Sequence, residues 1–399
     1  MQLPANVDLL SIKHVESLIH DRIQEGKHIE YKLSLPTNEK KDKKEFLADV
    51  SSFANTDGGW LLYGISEEKG VATKITGIGL ENADSEIAKY EDIILNGIEP
   101  RLPHCHIRAL ECGDGRFVIV IRVDKSWIGP HVINHESHWR FYRRRSVGKY
   151  PLDLAEVRDA FYTSADYRHR IGDFVRNRIV KIVSDETPLP LRSDKRIVLH
   201  LIPASAMDMI ELKNIMIGTQ EDFRLPQINR YGDGPASPNF DGYLSFTYLD
   251  HSGVYESYTQ LYMNGVVEAV NGYTIAENVT HDFKGFPYIA SGVLEEIVIK
   301  SIPNFINLFQ QIKITTPVYV ILSLLGCKGY IMAYSSRLWG PQHQITIDRE
   351  ILTTQPTVIE DFELNPLLIA RPLIDVIWRA SGWNGSPNFD ENGQYKPRT

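Results

Sequence analysis

The sequence predicts an α+β protein in two parts: a mixed sheet with flanking helices, followed by a second α+β domain. Three observations predict it. Over the first 165 residues, apolar residues at helical spacing alternate with short runs of strand periodicity. At 399 residues the chain exceeds what one hydrophobic core usually organises, so two domains are the default. After a helical stretch at 166–184, the Pro-containing segment "SDETPLPLRSDKR" opens a region of short strands separated by Gly, Pro and Asn. The expected organisation is therefore a domain at 1–165, a connecting helix at 166–184 and a C-terminal domain at 185–399.

Taken in order, "ESLIHDRIQE" (16–25) places Leu18, Ile19 and Ile23 at helical spacing, with Gly26 as the expected left-handed C-cap. From His28 the period becomes two, with Ile29, Tyr31 and Leu33 on one face and Glu30, Lys32 and Ser34 on the other. The Lys-rich "EKKDKKEF" leads into a helix whose apolar positions are Phe46, Leu47, Val50 and Phe53, ending in the turn residues "NTDGG" at 55–59. "WLLYGI" is apolar on both faces and reads as a central strand. Further strands are expected at 116–123 and 138–146, and a helix at 153–163. Beyond the boundary, "RIVLHLIPA", "GYLSFTYLD", "SYTQLYMNG" and 317–325 read as strands. Helices are expected at "VLEEIVIKSIPNFINLFQQI", kinked by Pro303, and at "PLLIARPLIDVIWRASG". The tail reads as coil, and the string "SPNFD", at 237–241 and again at 386–390, as turn chemistry used twice.

Charge and composition exclude several classes. With 43 Lys plus Arg against 51 Asp plus Glu, a net −8 argues against non-specific coating of nucleic acid, so a polyanion would need a local basic patch. Three cysteines are too few for a disulfide framework and match no CxxC knuckle, which suggests a reducing, cytoplasmic setting. No signal-peptide pattern opens the chain, and "PVYVILSLLGC" falls short of the ~20 apolar residues that span a bilayer. There is no GxxxxGK[ST], HExxH or GxSxG.

The chemistry concentrates in "QEGKHIEYKLS" (24–34). Five apart, Glu25 and Glu30 diverge by ~140° within one helix and face opposite ways within one strand. They converge only if the chain bends at Gly26. Glu67 joins them if the "WLLYGI" strand neighbours the "HIEYKLS" strand. Three clustered carboxylates need a cation, and oxygen-only ligands favour Mg²⁺ or Mn²⁺, with Lys32 placed to neutralise a phosphate. The plainer reading is a Glu30–Lys32 surface pair of little energetic weight. A second cluster is "HWRFYRRRS", which interleaves Trp139, Phe141 and Tyr142 with Arg140, Arg143, Arg144 and Arg145. With Lys40, Lys41, Lys43 and Lys44 it forms the expected nucleic-acid-binding patch, unless the alternation simply buries one face and solvates the other. His131, His135 and His138 sit in a loop context and read as hydrogen-bonding histidines.

The combination of "EGKHIEYK", the helix into "FANTDGGWLLYGISE", and "GPHVINHESHWRFYRRRS" resembles the Schlafen-type AlbA-like domain over residues 10–165. The resemblance implies endoribonuclease activity on structured RNA, with transfer RNA as partner and a metal held by three acids. Glu25 and Glu30 match the family's E-x4-E-aromatic-Lys motif. The family's aspartate, three after the glycine that is Gly64 here, falls on Glu67, with Glu68 as fallback ligand. "HCHIRALEC" (His104, Cys105, His106, Cys112) lies near the zinc site of vertebrate members but lacks the adjacent cysteine pair. Vertebrate Schlafens pair two such lobes, so this single copy implies a homodimer. A role in anti-phage defence or growth arrest, with a phage-derived or cellular trigger at the C-terminal domain, follows by the same analogy. The alternatives left open are a non-catalytic nucleic-acid-binding (DNA) regulator and a pure interaction protein.

Overall fold

A computed structural model of the protein describes residues 3–4, 7–102, 105–135, 138–208, 223–229, 233–248, 253–275, 287–333, 345–390 and 392–396. The chain divides into two compact units, Met1–Arg168 and His169–Thr399.

Unit 1 runs α1 (Ile12–His20), β1 (Ile29–Lys32), α2 (Lys40–Ala54), β2 (Gly59–Tyr63), β3 (Ile65–Glu68), β4 (Val71–Ile75), β5 (Ile78–Gly79), α3 (Ala83–Gly97) and β6 (Ile98–Glu99). It continues through β7 (Cys105–Gly113), β8 (Arg116–Val123), β9 (Val132–His135), β10 (His138–Arg145) and β11 (Gly148–Pro151), and into α4 (Leu154–Val183), which crosses the division. The main sheet has the order β1-β2-β8-β5, with β7 also on β8, and a second sheet has the order β11-β10-β9-β6. Strand β1 runs parallel to β2 and β2 antiparallel to β8, so the main sheet is mixed, as expected.

The two-sided apolar pattern of β2 has a direct cause. Leu61 and Tyr63 pack with Phe46, Val50 and Phe53 of α2 in one cluster, while Trp60 and Leu62 pack with Val15 and Leu18 of α1 in another. Strand β1 is an edge: Ile29 and Tyr31 join the α1-side cluster, which leaves Glu30 and Lys32 on the face that α2 covers.

Helix α1 ends earlier than its periodicity predicts. Arg22, at φ 53°, takes the left-handed position assigned to Gly26. Its N–H bonds Ile19 O and that of Ile23 bonds Leu18 O, which is the Schellman pattern. Both Leu18 and Ile23 belong to the α1-side cluster, so burying Ile23 after the turn explains why an arginine accepts the strained backbone. Where two segments were expected, at 153–163 and 166–184, one helix, α4, runs from Leu154 to Val183.

In unit 2 the antiparallel sheet is ordered 237–239, 242–248, 255–262, 267–271, β12 (Arg196–Pro203), 318–325, 351–353, with 357–359 also on 318–325. Every residue of β12 and of Val318–Leu325 is buried. Helices α5 (Ser291–Gln311) and α6 (Pro366–Ala380) contribute Phe305, Phe309 and Trp378 to its core, and Pro303 lies inside α5. The two "SPNFD" strings do different work. In the first, Asn239 Oδ1 accepts the N–H groups of Asp241 and Gly242, a turn. In the second, Ser386 and Asn388 donate side-chain bonds to buried Glu295, as does Trp378 Nε1 at 2.7 Å, so turn chemistry accounts for only one copy. No helix among the described residues is long and apolar enough to cross a membrane.

Glu268, fully buried, is held by Arg178 through two bonds of 2.7 and 2.9 Å, by Tyr258 at 2.9 Å and by His200 at 3.1 Å. Burial alone would lift its carboxyl; Arg178 and His200 outweigh that and hold it at about 2. Because the folded value lies below the unfolded one, this contribution to stability is full above about pH 4.5 and is lost as pH falls towards 2. Arg178→Ala should cost unit 2 about 3–5 kcal/mol by stranding Glu268. Urea unfolding followed by amide exchange at 196–203 checks this, and a loss under 1 kcal/mol would refute it.

Candidate acidic cluster and nucleic-acid interface

The acidic motif begins as edge-strand chemistry. The outward N–H of Tyr31 on β1 has no neighbouring strand to bond, and Glu25 Oε1 accepts it at 2.7 Å. Glu25 is positioned by its own N–H, which donates to Gly70 O at 2.6 Å, rather than by a helix end. Burial lifts the Glu25 carboxyl above its ordinary range; the Tyr31 N–H opposes this, and the charges of Glu30 and Glu67 add to it. Glu67 accepts the N–H of Gly70, and Glu25 Oε2 lies 3.6 Å from where a Cβ on Gly70 would stand, so both carboxylates meet at one glycine.

Glu30 has a different environment. Lys32 Nζ lies 2.7 Å from its Oε1, and the guanidinium of Arg144 from β10 bonds its Oε2. Arg144 is 3% exposed; it stacks 4.1 Å over Phe53 and lies 3.6 Å from Asp49 Oδ1. Asp49 is 1% exposed and is also held by Lys149 at 2.7 Å, which in turn pairs with Glu45. The result is a chain of alternating charge across β1, β10, α2 and β11. Burial would raise the Glu30 carboxyl, but Lys32 and Arg144 bring it below its ordinary value. Lys32 stays charged, since Asp49 and Glu30 outweigh its desolvation.

Glu25 and Glu67 meet at Gly70, whereas Glu30 faces Lys32 and Arg144. Among the described residues no group of three or more His, Cys, Asp or Glu is placed to hold a metal ion. Cations from the chain itself neutralise Glu30, so no metal is needed to hold it in place. His104 lies outside the described residues. The basic patch is also divided. Arg144 is buried in the acidic cluster, whereas Arg140 and Arg145 are exposed, Arg145 lying 3.9 Å over Tyr150. Lys40, Lys41, Lys43 and Lys44 occupy the first turns of α2, whereas Arg143 Nε bonds Asn55 O at the other end, roughly 20 Å away at 1.5 Å per residue. Trp139, 59% exposed, belongs to the arginine side.

Asp49 and Lys149 escaped the sequence reading, although Asp49 carried a signal: it falls at the i+3 position of the Phe46–Val50–Phe53 stripe, where an aspartate has to be paired. The "NTDGG" turn is likewise more than a turn. Asn55 Nδ2 donates to His131 O at 2.7 Å and Tyr142 O at 3.0 Å, and its Oδ1 accepts His131 N–H, which fastens α2 to β10 and to the loop before β9. A side chain on Gly59 would lie 2.3 Å from Phe53, so β2 can start against α2 only with glycine there. His131 is a hydrogen-bonding loop residue: its Nδ1 lies 2.6 Å from Pro100 O and its Nε2 2.6 Å from Ser126 Oγ, and burial pushes its pKa down to about 4.

Residues 25–153, about a third of the chain, match the family model described as Schlafen, AlbA_2. Domains of this family can be nucleases or nucleic-acid-binding modules. Among solved structures, the DIP2311 protein of Corynebacterium diphtheriae is 22% identical over 36% of this chain and 30% of its own, with a TM-score of 0.27. The N-terminal domain of an ATP-dependent DNA helicase RecG-related protein of Nitrosomonas europaea is 20% identical over 34% of this chain and 89% of its own, also with a TM-score of 0.27. At that level neither likeness carries weight for function. No curated protein matches the chain.

Two tests address the site. Arg144→Ala leaves Glu30 and Asp49 short of a cation and should destabilise unit 1 by about 3–5 kcal/mol, visible as faster amide exchange in β1 and β10. Neutral His131 contributes stability above its unfolded value near 6.5 that is lost as pH falls through about 4. Exchange in the 126–134 loop should therefore accelerate over that interval, and His131→Ala should flatten the dependence.

Proposed function

We propose that unit 1 binds RNA along β10 and cuts it at the acidic cluster beside Glu25, with transfer RNA as the substrate class that the family resemblance implies. One observation carries the reading. Arg144 of the basic strand is ion-paired to Glu30 of the acidic strand, which supports reading the exposed arginines beside it and the carboxylates as one site. Exposed Arg140 and Arg145 hold the phosphates, and Trp139 offers a face for an unpaired base. Charged Lys32 stands where it stabilises a phosphate drawn towards Glu30. Glu25 meets Glu67 at Gly70, and the two carboxylates, ionised, would hold a cation.

Mg²⁺ or Mn²⁺ is the cofactor of this proposal, held by Glu25 and Glu67. Magnesium is ordinarily bound by one or two carboxylates, waters and substrate phosphates, so a pair of acids suits it where a cage of three is not formed. When bound, the ion polarises the phosphodiester. A homodimer would supply the two-lobed groove, and unit 2 would sense the trigger. The second reading, a non-catalytic nucleic-acid-binding regulator, is favoured by the commitment of Glu30 to Lys32 and Arg144 as a structural element.

Incubation of the whole chain with total transfer RNA and Mn²⁺ should yield discrete fragments. Chelator should abolish them, and Glu25→Gln, which removes one ligand of the ion, should slow cleavage by at least about tenfold. Arg140→Ala with Arg145→Ala should weaken binding and lower the salt slope by about two. Intact RNA that is still retained on a native gel by both parent and Glu25→Gln would select the regulator.

A further inference from the structure

The first half of α4, within unit 1, adds to β10 a surface that the site described above does not use. At about 100° per residue, Leu154, Arg158, Phe161 and Tyr162 fall within one sector of its exposed side, opposite the buried Ala160 and Tyr167. Ala155, Asp159, Thr163 and Asp166 occupy the next sector. At the helix start, Asp153 and Glu156 each accept the other's N–H, at 2.8 and 3.0 Å, and Glu156 also lies 3.6 Å from Arg145, so both carboxylates are engaged. The stripe is therefore apolar with one arginine, and the acids of this half of the helix lie beside it rather than within it.

Phe161 joins the stripe to the strand, since it meets Phe141 of β10 edge to face at 5.8 Å. Two residues along β10, on the same face as Phe141, stands Trp139. Trp139, Phe161 and Tyr162 are 59%, 52% and 68% exposed, an aromatic patch of the kind that marks a binding surface. Arg158 within the stripe and Arg140 next to Trp139 in sequence are also exposed, and among the described residues neither has an ion-pair partner. Open ring faces with unpaired guanidinium groups match unpaired bases joined by phosphates: the bases stack on the rings, and the forks grip the phosphates. A base inside a duplex has both faces covered by its neighbours and cannot reach such rings.

We infer that Trp139, Phe161 and Tyr162 form a stacking platform for at least two consecutive unpaired bases, with Arg158 on the phosphate between them. Unit 1 thereby selects single-stranded segments over duplex, which rests on the nucleic-acid reading above and narrows its substrate class.

Fluorescence anisotropy of the whole chain with a labelled RNA of about 12 nucleotides, single-stranded or annealed to its complement, tests this, with chelator present so that binding is read without cleavage. The single strand should bind at least about tenfold more tightly than the duplex. Trp139→Ala and Phe161→Ala should each weaken it about five- to a hundredfold, the range for losing one stacked base, with the salt slope unchanged. Phe161→Tyr, which keeps a ring, should bind as the parent does. Because Phe161 also packs on Phe141, Tyr162→Ala repeats the measurement at the most exposed ring without touching that contact. Arg158→Ala should instead lower the salt slope by about 0.7. Equal affinity for single strand and duplex, or alanine variants that bind as the parent does, would overturn the platform while leaving the nucleic-acid reading in place. Retention of neither form removes both. A dimer in sedimentation that Trp139→Ala and Phe161→Ala dissociate, with single-strand binding unchanged, would make the patch a contact between copies and overturn the platform as well.

Discussion

Arg144 sits where a cation can exist only with company. Removing a guanidinium from water costs several kcal/mol, and the return depends on geometry and on paired counter-charges. Glu30 and Asp49 supply those charges, Lys32 and Lys149 balance them from outside, and the ring of Phe53 covers one guanidinium face. Since these residues come from β1, α2, β10 and β11, the same set of charges joins the main sheet to the second sheet. The packing of Phe53 against β2, the glycine at 59 and the clamp made by Asn55 all serve to bring β10 within reach of β1.

The pairing also divides the labour between the two glutamates of the motif. Glu30, with two cations on it, stays ionised and organises its surroundings. Glu25 has no such pair; it caps the outer edge of β1 and is pushed towards its neutral form by burial. Asp49 stands apart from this scheme: burial raises its carboxyl against the pull of Lys149 and Lys32, and its place is set by Lys149 at 2.7 Å and Arg144 at 3.6 Å.

Unit 2 uses the same physics for attachment. Glu268 gathers Arg178 of α4, His200 of β12 and Tyr258, and Glu295 of α5 gathers Trp378 of α6 with Ser386 and Asn388 of the tail. In each case one buried carboxylate, satisfied by several donors, pins segments far apart in sequence onto the sheet.

Much of the fold was legible because it rests on local periodicity. The alternation in 29–33 placed Glu30 and Lys32 on one face; the 46–50–53 stripe marked α2; the two-sided apolar run marked β2 as central; and "EGKHIEYK" with "NTDGG" carried the family. Tertiary structure alone decided what those residues meet. Glu30 and Arg144 are 114 positions apart, and nothing in "HWRFYRRRS" distinguishes the arginine that is buried from those that stay in water. Arg22 could displace Gly26 as the helix stop because burying Ile23 outweighed local backbone preference. The lysines of α2 and the arginines of β10 looked like one patch in a linear reading, but a helix of 15 residues keeps them at opposite ends. Periodicity is written in neighbouring residues; the partner of a buried charge is chosen by the folding of distant strands into one electrostatic neighbourhood.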